Sequence, residues 1–481
     1  MPAQHGLVGL PRPHRLGPAR RPVIGWCGMA GDLASDTVLR ALAAVCPATR
    51  AAGGGDAVAG VTPRYAASPA SVTEASAVMR VADEQGLAVV ARGSGSRLDW
   101  GAPPQSCDLV VDTQRLDQVI EHAAGDLVAR FQAGAGMRRL GEVLAAAGQQ
   151  LALDVAPGGG SPAGQEPVST ATVGGALATG MAGPRRLRYG TPRDLVIGIT
   201  VVRADGTVAS SGGKVVKNVA GYDLGKLFAG SYGTLGLIAE AVFRLHPLPL
   251  AAAFTTVDGA DPADAHRAAA AAAASELAPT AVEISRAGRD HPVRVGVLLE
   301  GDPAGVGERA AQLRELLGAG AVTSPEAPGW WGRTEPPGGA TGGAGTLVRI
   351  AYWAAALPAV LAVIDGAAAA GGLDPLVAGS AAAGVIYLAL GADTAPAAVA
   401  AFVAALREAL ARGEADARPA SAPVPDSPPV LASAVVVHAP PPVQELVDLW
   451  GPVPGLPLMR AVKDQFDPGH RMAPGRFAGG I

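Results

Sequence analysis

Between residues 172 and 247 the chain places glycine again and again between short apolar runs. It reads T-V-G-G-A-L-A-T-G-M-A-G-P-R-R-L-R-Y-G-T-P-R-D-L over 172–195, then K-V-V-K-N-V-A-G-Y-D-L-G-K-L-F-A-G-S-Y-G-T-L-G-L-I over 214–238. Glycine lets the backbone adopt positive φ or come within contact distance of another group. Repeated along one stretch, this pattern points to backbone wrapped around an extended, phosphate-bearing cofactor.

A second glycine run supports that reading. Arg92-Gly93-Ser94-Gly95-Ser96 follows an apolar segment that reads as a strand over 87–91. Its backbone N–H groups and two serine hydroxyls can form an anion-binding nest, and an ordinary glycine turn is the alternative. Gly134-Ala135-Gly136, with Asp154 further on, imitates a dinucleotide fingerprint. Its third glycine position is Arg139, too bulky for the close helix–strand contact that fingerprint needs, so the turn reads as packing.

At 481 residues the chain is long enough for two or three domains with real cores. A formal charge of −4 lacks the basic excess of a nucleic-acid binder. Cys27, Cys46 and Cys107 include no C-x-x-C pair. They supply neither the four thiols typical of an iron–sulfur cluster nor a disulfide framework, and this fits a reducing cytoplasm. The eight histidines show no metal-ligand spacing, so no metal is expected. No run of about 18 apolar residues predicts a membrane span. The only lysines are Lys214, Lys217, Lys226 and Lys463 in a chain that otherwise uses arginine.

The pattern predicts a disordered N-terminal extension, with Met29 as an alternative start, a helix over 35–45 and a linker over 51–55. Ser71 and Glu74 have capping-box spacing and open a helix ending near Gly86. Strands follow over 109–112, 119–122 and 127–133, a helix over 137–147, a hairpin at 196–203 and 208–210, and a strand over 235–245. Strands and helices do not alternate strictly, so the class is α+β. From about residue 250 helices at 263–277, 305–317, 356–370 and 396–411 alternate with strands at 281–284, 293–300, 347–353 and 385–390. That is two rounds of strand then helix, the pattern of a ferredoxin-like α+β cap.

The motif order resembles the FAD-binding domain of the vanillyl-alcohol-oxidase/PCMH flavoprotein superfamily. G-P-R-R, then K-N-V-A-G-Y-D-L, then G-S-x-G-T-L-G is most similar to the FAD-binding E-type subunits of bacterial glycolate oxidase, as is the ending at Asp467-Pro468 and Ala473-Pro474-Gly475-Arg476-Phe477. The resemblance implies a PCMH-type FAD-binding domain in two subdomains over 58–250, after an extension, helix and linker over 1–57. A cap over 251–455 and a C-terminal segment over 456–481 returning to the FAD domain follow. It implies cofactor contacts from Arg92, Gly93, Ser94, Gly95 and Ser96; from Thr172, Val173, Gly174, Gly175 and Gly183; and from Arg185, Tyr189 and Gly190. Asn218, Gly221, Tyr222, Asp223, Gly236 and Ile238 complete the set. A solvated basic edge is the alternative for the arginines, and a buried structural pair for Tyr222 and Asp223. Covalent relatives carry a histidine near the first loop, and none lies between Arg92 and Cys107, so FAD is expected to be non-covalent.

The histidine-rich segment of the catalytic D-type subunits is missing from 255–440, so no catalytic residue is assigned. His438 lies where E-type subunits tend to have arginine. Three functions follow from the resemblance. The first is an FAD-binding subunit of a complex oxidising a small 2-hydroxy acid, with a homologous D-type FAD subunit and an iron–sulfur subunit as partners. The second is a stand-alone FAD-dependent oxidoreductase, and the third a non-catalytic scaffold subunit. The expected location is cytoplasmic, with any membrane association through partners.

Overall fold

Four short strands open the fold in the order β1-β2-β4-β3: β1 (Thr49–Ala51), β2 (Tyr65–Ala67), β3 (Val89–Arg92) and β4 (Leu109–Asp112). The computed structural model describes residues 36–154, 171–214, 222–333, 345–413 and 432–481. Strands β2 and β3 run parallel to β4, and β1 is antiparallel to β2. Against this sheet lie α1 (Thr37–Val45) and α2 (Val72–Glu84). The α2 helix starts where the sequence indicates: Ser71 Oγ accepts from Glu74 N at 3.1 Å, and Glu74 accepts from Ala70 N at 2.9 Å. Its apolar stripe, Ala75, Val78, Met79 and Ala82, is buried over Leu109 and Val111. The segment 51–55, expected as a linker, is instead the end of β1 and a tight turn. The turn is fixed by Asp56, which accepts from Gly53 N, from Arg50 and from Arg92.

A second, five-stranded antiparallel sheet has the order β5-β6-β10-β8-β9. Its strands are β5 (Val119–Ala123), β6 (Val128–Gln132), β8 (Val196–Val202), β9 (Val208–Gly212) and β10 (Leu237–Arg244). The apolar run of β10 is buried almost end to end, as a central strand requires. Between β6 and β8 come α3 (Met137–Ala145), the two-residue β7 (Gln149–Gln150), α4 (Val173–Thr179), α5 (Arg186–Tyr189) and α6 (Pro192–Leu195). The predicted β8–β9 hairpin forms, and its Gly206 at φ +80° touches α2, where a Cβ would lie 2.7 Å from Ser76 O. After α7 (Gly225–Phe228) and β10, the short β11 (His246–Pro247) pairs with β7.

The third sheet has eight antiparallel strands in the order β15-β12-β14-β13-β17-β18-β16-β19. The first half runs β12 (Ala251–Gly259), α8 (Pro262–Ala274), β13 (Ala281–Arg286), β14 (Val293–Gly301), α9 (Pro303–Leu317) and β15 (Val322–Ser324). The second runs β16 (Thr346–Tyr352), α10 (Leu357–Ala370), β17 (Leu376–Ser380), β18 (Val385–Leu390), α11 (Pro396–Ala411) and β19 (Ala432–His438). Each half is a β-α-β-β-α-β unit. The halves join edge to edge where β13 pairs with β17. Strands β12, β15, β17 and β19 were not expected: alanine and glycine dilute the β-branched signal of β12, β17 and β19, and β15 is only three residues long. All four helices cover one face, over a core of Val282, Ile284, Val297, Ile350, Ile364 and Phe402 among others.

After α12 (Pro441–Gln444), α13 (Leu456–Phe466) carries the chain back to the first two sheets. Met472 forms a parallel bridge to Val89, and Ala473 N donates to Val89 O at 2.7 Å. Lys463, 1% exposed, donates to Thr234 O (2.7 Å), Met472 O (2.9 Å) and Asp467 Oδ2 (2.6 Å).

Candidate functional site

Strand β3 ends in the first glycine loop, and the start of α4 faces it. Between them lies a groove of about 770 Å³, lined by Gly93, Ser94, Gly95, Ser96, Thr172, Gly174, Gly175, Gly236 and Ile238. The loop and helix meet at Gly93, where a Cβ would lie 2.3 Å from Thr172 Oγ1. Gly174 is glycine for a different reason: its Cβ would collide with Ala133 Cβ at 2.8 Å, so it seats α4 on β6. Gly175 borders the groove and is crowded only by Thr172 Oγ1, at 3.2 Å. Val173 lies in the core of the second sheet rather than on the groove.

The hydrogen-bond inventory separates the two walls. The first N–H groups of α4 are taken, Val173 by Ala135 O, Gly174 by Ala133 O and Gly175 by Thr172 Oγ1. Across the groove, no acceptor among the described residues takes the N–H of Gly93, Ser94, Gly95 or Ser96. Gly95 stands at φ +82°, and the Ser94 and Ser96 hydroxyls lie 3.3 Å apart. Consecutive N–H groups with a left-handed residue among them make a concavity suited to phosphate oxygens.

The charges differ from expectation. The Arg92 guanidinium is committed to Asp112 (2.9 Å) and Asp56 (3.1 Å), so it gives the groove only its stem and backbone. The guanidinium groups bordering the groove are those of Arg97, stacked 5.1 Å over the Trp100 ring, and Arg476. Arg476 is 3% exposed; Nη2 donates to Leu98 O (2.7 Å) and Trp100 O (2.6 Å), and Nε has no partner. Burial presses its pKa down to about 10. Open N–H groups, two hydroxyls and two guanidinium groups fit a pyrophosphate. Tyr232, at φ +55°, closes the groove beside Gly233 and packs edge-on against Trp450 at 5.1 Å.

Other expected residues lie elsewhere. Arg185 is held by Asp154 (2.6 Å) and Gln150 (2.6 Å). Tyr189 donates to Glu300 Oε2 at 3.0 Å and packs edge-on against His246 at 4.7 Å, in a separate surface cleft. Gly190, at φ +85°, makes room for Asp194, which caps α6. Tyr222 is 89% exposed and Asp223 pairs with Lys226, which overturns the alternative of a buried Tyr–Asp pair. Asn218 and Gly221 lie outside the described residues. His438 is tied to Asp99 Oδ2 (2.8 Å) and Gly345 O (2.9 Å), joining β19 to the stretch that follows the glycine loop.

A second cavity, about 700 Å³, opens where Gly183 and Arg186 meet the face of the eight-stranded sheet opposite its helices. Glu283 of β13 and Tyr387 of β18 line it. Glu283 is 4% exposed, its Oε1 has no partner, and burial pushes its carboxyl up to about 8. Sequence reading passed over Glu283 because one carboxylate inside a strand gives no motif. Arg476 stood within a recognised ending, and only its burial beside the groove marks its use.

Among the described residues no three metal-binding side chains cluster, and no helix is long and apolar enough to cross a membrane. Residues 63–212 match the family model described as FAD binding domain. Over 179 residues the chain is 37% identical to the D-lactate dehydrogenase of Archaeoglobus fulgidus, covering 37% of this chain and 38% of that one. It is 34% identical over 210 residues to glycolate oxidase subunit GlcD of Bacillus subtilis (41% and 43% covered). Against glycolate oxidase subunit GlcE of Escherichia coli it is 36% identical over 163 residues (34% and 43% covered). The chain thus spans about two fifths of the length of these curated relatives. The solved structure of p-cresol methylhydroxylase with substrate bound superposes with a TM-score of 0.63 at 17% identity, covering 91% of this chain and 96% of that one. Residues 63–212 are an FAD-binding domain, FAD is the cofactor, and the fold is the α+β, two-subdomain PCMH type.

Proposed function

We propose that the chain is an FAD-binding subunit of a glycolate oxidase- or dehydrogenase-like complex that oxidises a small 2-hydroxy acid. The groove between Gly93–Ser96 and α4 is the observation that carries this reading. In it, residues 58–250 with 456–481 form the FAD-binding unit and 251–455 the cap. Gly93–Ser96 donate to the pyrophosphate of non-covalent FAD, Arg97 and Arg476 balance its charge, and Gly175 and Gly236 leave room for its length. Bound FAD supplies a two-electron acceptor. Arg476 also fixes the carbonyls of Leu98 and Trp100, so the loop is shaped before the cofactor arrives. In this reading a homologous D-type FAD subunit supplies the catalytic base and an iron–sulfur subunit takes the electrons onward; the likeness to glycolate oxidase subunits GlcD and GlcE supports a complex of several subunits.

One observation favours a stand-alone oxidoreductase as the second reading: Glu283 gives this chain a buried proton-active group of its own. Dye-linked oxidation of glycolate and D-lactate by FAD-loaded protein, with and without D-type and iron–sulfur partners, separates the two. The subunit reading expects turnover at least about 10²-fold lower for the lone chain, the contribution of a missing acid–base group. Equal turnover with and without partners establishes the stand-alone enzyme instead.

A further inference from the structure

The cavity on the face of the large sheet opposite its helices has the parts of a specific anion site. Register sends Val282 and Ile284 into the core beneath the helices and turns Glu283 to the opposite face. There Glu283 stands beside Gly296 of β14 and Ser380 of β17. Gly296 is glycine because the Trp330 and Trp331 rings lie where a Cβ would be, at 2.7 and 2.9 Å. The tryptophans thus wall one side of Glu283, with Tyr387 also lining the cavity. From α5, Arg186 borders the same space; its Nε bonds Gly183 O at 3.2 Å. Among the described residues no carboxylate pairs with Arg186, whereas neighbouring Asp154 is already held by Arg185. The cavity therefore presents an uncommitted cation and a buried carboxyl with an unpartnered oxygen.

We propose that this cavity binds a small carboxylate bearing an adjacent hydroxyl, with Arg186 pairing the ligand's carboxylate and Glu283 hydrogen-bonding its hydroxyl. The assignment rests on the FAD-dependent reading above and adds to it the two residues that recognise the acid. A neutral Glu283 both donates and accepts, and it does not repel the ligand's carboxylate. The charged and titratable groups facing Glu283 are Arg186 from α5, Asp154 beyond β7, Arg333 after the tryptophans and Tyr387 from β18, while Tyr352 of β16 feels Glu283 from the core beneath the helices. Arg186 favours its ionised form and Asp154 opposes it, while burial keeps it protonated at neutral pH.

The test uses the full FAD-loaded chain and two acids that cannot be oxidised at the hydroxyl carbon. 2-Hydroxyisobutyrate has the hydroxyl but no hydrogen on that carbon, and isobutyrate lacks the hydroxyl. Calorimetric titration at pH 7 is expected to show the hydroxy acid binding about 5- to 10-fold more tightly, the worth of one hydrogen bond. Glu283→Ala removes that preference and leaves isobutyrate affinity within about twofold; Arg186→Met weakens both acids by about tenfold or more. Glu283→Gln, which keeps the shape if the alanine variant does not fold, abolishes the weakening of binding that wild type shows as pH rises through about 8. An unchanged preference in Glu283→Ala, an unchanged pH profile in Glu283→Gln, or no binding of either acid to wild type overturns the assignment. Flavin content is measured separately by absorbance. Colourless protein that still discriminates the two acids refutes the flavin reading and leaves the cavity assignment standing.

Discussion

Lys463→Met removes the ammonium that joins three parts of the chain at one point. In the native fold all three Nζ protons are used, on Thr234 O, Met472 O and Asp467 Oδ2, at 2.6–2.9 Å. Lysine and aspartate are both essentially unexposed. The variant leaves the Asp467 charge buried with only the Met472 N–H (2.7 Å) as partner. Removing one member of a buried ion pair typically costs about 3–5 kcal/mol, a large share of a usual stability of about 5–15 kcal/mol. Lys463→Arg is expected to fail as well, since a planar fork does not fit three acceptors converging on a point charge. Because Met472 leads directly to Arg476, the damage should reach the groove. The assay is urea unfolding followed by circular dichroism and by flavin release. The expectation is a loss of at least about 3 kcal/mol, with flavin released before secondary structure melts. Lys463→Met combined with Asp467→Leu should recover part of the loss, because no lone charge remains. A single variant within about 1 kcal/mol of wild type, or a double variant no better than the single, would show that the pair does not anchor this segment.

The two glycines of α4 should separate in experiment. Gly175→Val is expected to lose FAD while melting near the wild-type temperature. Gly174→Val should destabilise the fold by about 1–3 kcal/mol through its clash with Ala133, and the reverse ranking in a thermal melt refutes the placement. Acid precipitation of yellow protein should leave all flavin in the supernatant, and flavin in the pellet disproves non-covalent binding. Glu283 is held near 8 against 4.5 unfolded, so the folded chain binds one proton more than the unfolded chain between those values. Stability should therefore fall as pH rises from 4.5 through about 8, by at most about 1.4 kcal/mol per pH unit from this group. Glu283→Gln should flatten that slope, and parallel slopes for both proteins remove Glu283 as its source.

Periodicity and turn chemistry made the helices and the hairpin at Gly206 legible, because those signals are local. The Ser71 cap is an example, where two side chains within three residues define a helix start. Strand β17, L-V-A-G-S, was hidden because its stability comes from pairing with β13 and β18 rather than from its own residues. The phosphate side of the groove could be read as far as glycine and serine mark it. That Arg92 is drawn away from the groove could not, since only Asp56 and Asp112, brought in by the fold, hold its guanidinium. Arg185 was bound to Asp154 by the same kind of distant pairing.

The bridge between Met472 and Val89 also orders events in time. Arg476 shapes the loop beyond β3, yet almost four hundred residues are synthesised between the two. A nascent chain can build the parallel pairing of β3 with β4 early, but the groove stays open along one wall until 472–476 leave the ribosome. Contacts this distant in sequence form late and slow the closing stage of folding. Cofactor capture should therefore wait until 472–476 have emerged and docked. The large sheet, whose strands and helices all fall between those two points, is free to assemble first.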